Sequence, residues 1–288
     1  MIVLFCALCA PVLAQDAALD AALDRYDAGE FDAALKVIEP AARGGNPSAQ
    51  FILGTAFWLG QGREKDVRLA QDWLMKSADQ KDPRAVYALA ELLLENNEIE
   101  PALQRLQDGM ALAYPQSFYR RATLMQQGIG GAADPAGAAA LFAVALDLGL
   151  PDAGFDLAEI YRTGLGVPVD LERVRVVLSQ TAAYGIPRAM GQLGLMHEVG
   201  EGGPADPAAA FALYQEAVNL GDPDAAVLLA QFMQSREGYW TNPPLALAYC
   251  LWGAKVSESE AQGAICDALA NDMTPEDKTA GEAMATEF

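Results

Sequence analysis

The sequence predicts an all-α fold, a solenoid of stacked antiparallel helix hairpins. Three observations predict it. The chain of 288 residues repeats itself with a period of 36. Within each period, apolar residues recur at the three- and four-residue spacings of a helical face. Between these segments, glycine pairs, aspartates and prolines fall at fixed places.

The elements follow in chain order. Met1 to Leu13 is apolar and carries no side-chain charge, and Ala14 precedes Gln15 and Asp16. This is the pattern of an export signal, residues 1–14, cleaved after Ala14. No Lys or Arg precedes the run, so a translation start upstream of Met1 is expected. The alternatives are a buried N-terminal helix or, with a poorer match at Ala7-Leu8-Cys9, a lipid-anchored N-terminus. Residues 15–48 follow as a first, shorter hairpin carrying Tyr26, Gly29, Phe31 and Ala34. Pro40 falls in its second helix and is expected to bend or shorten it.

Six units cover 49–260: 49–84, 85–116, 117–152, 153–188, 189–224 and 225–260, the second being four residues short. Four residues after the start stands Leu53, Leu89, Leu157, Leu193 or Leu229, with Arg121 as the exception. A small residue follows: Gly54, Ala90, Ala122, Ala158, Gly194, Ala230. A larger one stands three further on: Phe57, Leu93, Met125, Tyr161, His197, Met233. Glycine pairs such as Gly60 and Gly62 stop this helix and supply turn freedom. Asp66, Asp134, Asp170 and Asp206 stand where an N-cap is needed, and Pro135 and Pro207 suit the first helical position. The second helix carries Ala70, Ala138, Val174 or Ala210, then Leu74, Phe142, Leu178 or Tyr214. Gly-x-Pro-x-Ala closes the unit. Such a hairpin cannot bury its apolar face alone, so the units must stack into one elongated domain. In 85–116, Asn96-Asn97 replaces the glycine pair. In 225–260, Tyr239-Trp240-Thr241 replaces it and Asn242-Pro243 keeps the cap. In 261–288, the capping segment, Thr274-Pro275-Glu276-Asp277 starts a final helix with a polar outer face.

The pattern A-x3-L-G-x2-[FY]-x2-G-x-G-x3-D-x3-A-x3-[FY]-x2-A-A-x2-G-x-P-x-A resembles the Sel-one-like repeat (SLR), a relative of the tetratricopeptide repeat. Residues 15–48 resemble a tetratricopeptide-type hairpin. The resemblance implies a right-handed α-solenoid acting as an adaptor or scaffold, with protein or peptidoglycan-linked partners and no cofactor. In tetratricopeptide-like stacks the first helices line the concave surface. Phe51, Tyr87, Tyr119 and Phe155 stand two residues after their unit starts and would point there, with Trp58, Glu91, Thr123 and Glu159 further along the same face. They are either anchors for a protein or peptide partner or rings that only pack between neighbouring helices.

Cys250 and Cys266 are the two cysteines beyond the signal. Cys250 takes the bulky second-helix position and Cys266 the small first-helix position of the next unit, where helices of successive units are expected to meet. In an exported chain they are expected to form a disulfide, closing a loop worth ~3 kcal/mol. The alternative is two buried thiols. His197 takes a large-residue core position and reads as a packed ring with a hydrogen bond, not as a base or ligand.

The formal charge is −20, from 39 acidic and 19 basic residues. That argues against nucleic acid and anionic lipid, which need clustered cations. A single His excludes multi-histidine metal sites, and no apolar run is long enough to span a bilayer. Unit 49–84 holds six basic and five acidic residues, unit 189–224 six acidic and none basic, and 261–288 six acidic and one basic. The acidic end serves solubility, or attracts a basic partner or divalent cation. No nucleophile–base pair or phosphate loop is present as a motif. The expected function is therefore a non-catalytic periplasmic interaction scaffold. The alternatives are an envelope enzyme or enzyme inhibitor with a site in the concavity, and self-association.

Overall fold

A computed structural model describes residues 9–235 and 242–288, with side chains from Ala17 onward. The proposed signal lies partly outside the described residues, and Tyr239-Trp240-Thr241 lies wholly outside them. Among the described residues there are sixteen helices and no strand. They fall into two compact units, residues 1–134 and 135–288, so the division cuts the period 117–152.

The N-terminal unit holds α1 (Cys9–Asp27), α2 (Phe31–Arg43), α3 (Pro47–Leu59), α4 (Val67–Ala78), α5 (Pro83–Glu95), α6 (Ile99–Ala111) and α7 (Pro115–Gln127). The C-terminal unit holds α8 (Pro135–Asp147), α9 (Asp152–Thr163), α10 (Leu171–Ala183), α11 (Pro187–Val199), α12 (Pro207–Asn219), α13 (Pro223–Ser235), α14 (Pro243–Val256), α15 (Glu260–Asn271) and α16 (Pro275–Met284). Helices pair as hairpins (α3 with α4, α5 with α6, α9 with α10, α11 with α12, α13 with α14), and each second helix packs on the next first helix.

Caps and turns set the helix ends. The side chains of Asp66, Asp170 and Asp206 accept the backbone N–H of Leu69, Arg173 and Ala209, each at 3.0 Å. Each such cap is worth about 1 kcal/mol. Asn97, at φ 62°, replaces glycine in the turn after α5, since Asn tolerates the left-handed region better than most residues. Thr274 caps α16 through the Asp277 N–H at 3.1 Å. α16 packs on α14 and buries only Gly281, leaving its outer face polar.

The glycine pair does more than turn the chain. Gly60 takes φ 73° as the C-cap of α3. The second glycine is a packing residue. A Cβ on Gly62 would come within 2.7 Å of Phe31 in α2, and one on Gly130 within 2.4 Å of Leu103 in α6. In the C-terminal unit a Cβ on Gly166 would meet Pro135 at 3.0 Å, and one on Gly202 the Leu171 carbonyl at 2.2 Å. The loop of each hairpin thus seats against the preceding second helix, which a side chain would prevent.

One expectation is corrected and one is extended. α2 continues through Pro40 to Arg43 and, with 13 residues, is as long as α3. Burial of Ala34, Leu35, Ile38 and Ala42 holds this helix, and offsets the lost hydrogen bond. The bulky and small positions of successive units meet as expected at Cys250 and Cys266, and the small residue of the first helix also receives the bulky residue of its own hairpin. A Cβ on Gly54 would lie 2.8 Å from Leu74, and one on Gly194 would lie 2.7 Å from the Tyr214 ring. The hairpin is thus itself a knob-in-gap unit, before any stacking.

Candidate functional site

On the first helices of the N-terminal unit, α3, α5 and α7, the aromatic positions are half-buried. Phe51 lies under Arg84, whose guanidinium carbon is 4.9 Å from the ring centroid. Arg84 is held by Asp82 at 2.7 Å and by the Ser48 hydroxyl at 2.9 Å. Its pKa is raised chiefly by the hydrogen bond to Asp82, so it remains a fixed cation. Asp82 also caps α5 through the Arg84 N–H at 3.0 Å. One carboxylate therefore starts the helix and orients the cation above the ring.

The next position continues the pattern. The Tyr87 and Tyr114 rings are 5.8 Å apart. Burial first, and then the charge of Glu91, push the Tyr87 phenol well above its ordinary value, so it stays protonated beside that carboxylate. Glu91 Oε1 lies 2.9 Å from Arg120 Nε, an ion pair across α5 and α7. The N–H is not aligned as a hydrogen bond, and both atoms are otherwise unsatisfied. Trp58 donates its indole N–H to Glu95 at 2.8 Å. Tyr119 is half-buried on α7, and the Thr123 hydroxyl turns back to the Tyr119 carbonyl at 3.0 Å.

Phe155 and Glu159 lie on α9, in the C-terminal unit. Phe155 sits under Arg188 at 4.7 Å, the same ring–guanidinium pairing as Phe51 with Arg84. Glu159 is exposed, 3.9 Å from Arg162. The arginines were not singled out from the sequence. The signal was there: Arg84 and Arg188 each immediately precede a unit start, at the same separation from their phenylalanine. Arg120 carries no comparable pattern.

Cys250 and Cys266 are fully buried, with sulfurs 2.14 Å apart and Cα atoms 5.5 Å apart. That Cα separation is within the range a disulfide requires. Around them lie Tyr214, Val227, Phe232, Leu247 and Leu269.

His197 has its hydrogen bond, and it is also half-buried at a cleft, which the sequence reading did not foresee. The cleft, about 990 Å3, is lined by Glu172, Arg175, Ser179, Leu193, His197 and the loop 202–204. Arg175 donates to His197 Nδ1 and to the Pro204 carbonyl. Burial first, then Arg175, lower the imidazole pKa against an opposing effect of Asp206. A second cleft of about 550 Å3 occupies the equivalent place one period earlier, floored by Leu157 and Tyr161. Among the described residues no cluster of three or more His, Cys, Asp or Glu is placed to hold a metal, and no helix is long and apolar enough to cross a membrane.

Comparison with known proteins agrees with this architecture. The Sel1 repeat model matches residues 47–82, 151–173 and 187–222. A Sel1 repeat protein from Oxalobacter formigenes is similar at TM-score 0.65 and 23% identity, covering 83% of this chain and 99% of that one. A protective antigen of uropathogenic Escherichia coli strains, displaying an SLR fold, is similar at TM-score 0.69 and 19% identity. That match covers 89% of this chain and 56% of the antigen, so the chain spans little more than half its length. None of the curated proteins matches by sequence. The chain carries Sel1 repeats and has the all-helical repeat fold of Sel1-repeat proteins.

Proposed function

We propose that the chain is a periplasmic, non-catalytic scaffold that binds a protein or peptide on its first-helix face. Sel1 and tetratricopeptide-like repeat proteins generally mediate protein–protein interaction, and their fold is typically a non-catalytic scaffold. The observation that carries the reading is the set of half-exposed rings on α3, α5 and α7, of which Phe51, Trp58 and Tyr87 each lie against a charged or aromatic neighbour. Rings already held in place lose little entropy on binding and make good anchors. Phe155 and Glu159 extend the same chemistry to the C-terminal unit.

The rest of the proposed organisation is export through residues 1–14, a hairpin at 15–48, six repeats over 49–260 and a cap at 261–288. A disulfide between Cys250 and Cys266 suits an oxidising compartment. Affinity capture from a periplasmic extract tests the reading, using the intact protein and the double variant Tyr87→Ala/Tyr119→Ala. A specific partner is expected with the intact protein and lost with the variant, and the exported bait is expected to begin at Gln15. Equal capture by both, from a variant of unchanged helicity, overturns the assignment of this face.

A further inference from the structure

The two clefts of the C-terminal unit share one frame and differ in charge balance. In the cleft floored by Tyr161, Arg173 lies over the ring at 5.2 Å and pairs with Asp170 at 3.1 Å. Its charge is neutralised locally. In the cleft floored by His197, Arg175 spends its hydrogen bonds on neutral acceptors, the Pro204 carbonyl at 3.1 Å and His197 Nδ1. Among the described residues no carboxylate lies within ion-pair distance of Arg175. An arginine without a counter-charge, half-buried in a cavity, is unusual in a chain of net charge −20.

The surroundings keep that cation available. Gly202, at φ 72°, lets its loop approach the Leu171 carbonyl. A Cβ on Gly203 would stand 2.6 Å from Arg175 Nη1, so glycine leaves room beside the guanidinium. His197 accepts at Nδ1, so the neutral ring carries its proton on Nε2 as a second donor. The Ser179 hydroxyl lines the same cavity, whose volume is in the range of small-ligand sites.

We propose that this cleft is a binding site for a carboxylate, with Arg175 as its counter-charge and His197 as a neighbouring donor. The planar guanidinium fork matches a carboxylate in two parallel hydrogen bonds. Glu172, which lines the cleft and makes no ion pair with Arg175, disfavours a doubly charged oxyanion and so selects against phosphate. The carboxylate comes from a free organic acid or from the acidic side chain of a peptide. The site shares no residue with the proposed partner face and stands without it.

The single imidazole of the chain is its own reporter, because its proton resonances need no assignment among other histidines. Acetate, N-acetylglutamate amide and inorganic phosphate are titrated separately against the intact protein. Both carboxylates are expected to shift the imidazole signal saturably and to raise its pKa, since a bound anion favours the imidazolium. Tighter binding of N-acetylglutamate amide assigns the site to peptide side chains, and equal binding to free acids. Arg175→Gln is expected to weaken binding about tenfold or more, on the scale of one or two lost charge-assisted hydrogen bonds. Arg175→Lys, which keeps the charge and loses the fork, should also weaken it. Glu172→Gln should tighten it, and Arg173→Gln in the other cleft should leave it unchanged. No saturable shift with either carboxylate, an affinity unchanged from the intact protein in both Arg175 variants, or tighter binding of phosphate would each overturn the proposal.

Discussion

The N-terminal and C-terminal units build the same hairpin and use their aromatic residues differently. In the N-terminal unit the third residue of each period is Phe51, Tyr87 or Tyr119, half-exposed on the first-helix face. In the C-terminal unit Phe155 on α9 keeps this arrangement under Arg188, and the corresponding Gly191 and Val227 are buried. Beyond α9 the large rings Tyr214 and Phe232 lie inside. Tyr214 is fully buried edge-on to Phe232 at 5.8 Å, with its hydroxyl donating to Glu198 at 2.9 Å. One unit keeps an aromatic, charge-braced face. The other keeps that arrangement at Phe155 and buries Tyr214 and Phe232 in a core that contains the cysteine pair. The frame depends on a few small and bulky positions, which leaves the third position of each period free to serve either packing or recognition.

The cysteine pair provides the largest test of this contrast. Replacing Cys250 and Cys266 together by serine should destabilise the C-terminal unit by about 3 kcal/mol, and leave hydrogen exchange in α3 to α5 unchanged. The oxidised, denatured protein should contain no free thiol. Two free thiols would show that the C-terminal core is closed by packing alone.

The hairpin gap gives a smaller and more symmetric test. Gly54→Leu and Gly194→Leu each force a side chain onto Leu74 or Tyr214 and should cost about 1–3 kcal/mol in thermal or urea unfolding. The cost should be greater at Gly194, because Tyr214 is an inflexible ring held at both ends, whereas Leu74 has rotamers to change. Equal costs would mean that the two units relax alike.

The smallest effect concerns pH. The His197 pKa is lowered in the folded chain from its ordinary 6.5. The unfolded chain therefore binds the proton more readily, and the stabilisation is complete above about 6.5. It should be lost progressively as the pH falls below that value. His197→Gln should flatten this part of the melting temperature profile for the C-terminal unit and leave the N-terminal unit untouched.

Much of the fold was legible in particular residues. Asp66, Asp170, Asp206 and Thr274 announce helix starts because a short polar side chain meets an otherwise unpaired N–H. Gly60 and Asn97 announce helix ends because few other residues take positive φ. Pro40 misled on length, since local propensity spoke for a bent or shortened helix while burial of four neighbouring apolar residues kept all 13 residues helical. At the candidate face the aromatic positions were legible and their partners were not. Phe51 and Tyr87 recur with the repeat, whereas the Glu91–Arg120 pair joins helices whose juxtaposition no spacing within one helix encodes.

By itself, then, the sequence determined the all-helical repeat, its period, its caps and the small–bulky alternation, because these depend on backbone preferences and short-range periodicity. Tertiary structure decided that the second glycine of each pair is a packing residue and that the bulky residue fills the gap of its own hairpin. It also decided that Arg84 braces Phe51 and that Arg175 meets His197 in a cleft. Each of these depends on distances between residues far apart in the chain, which only the packing of one helix on another sets.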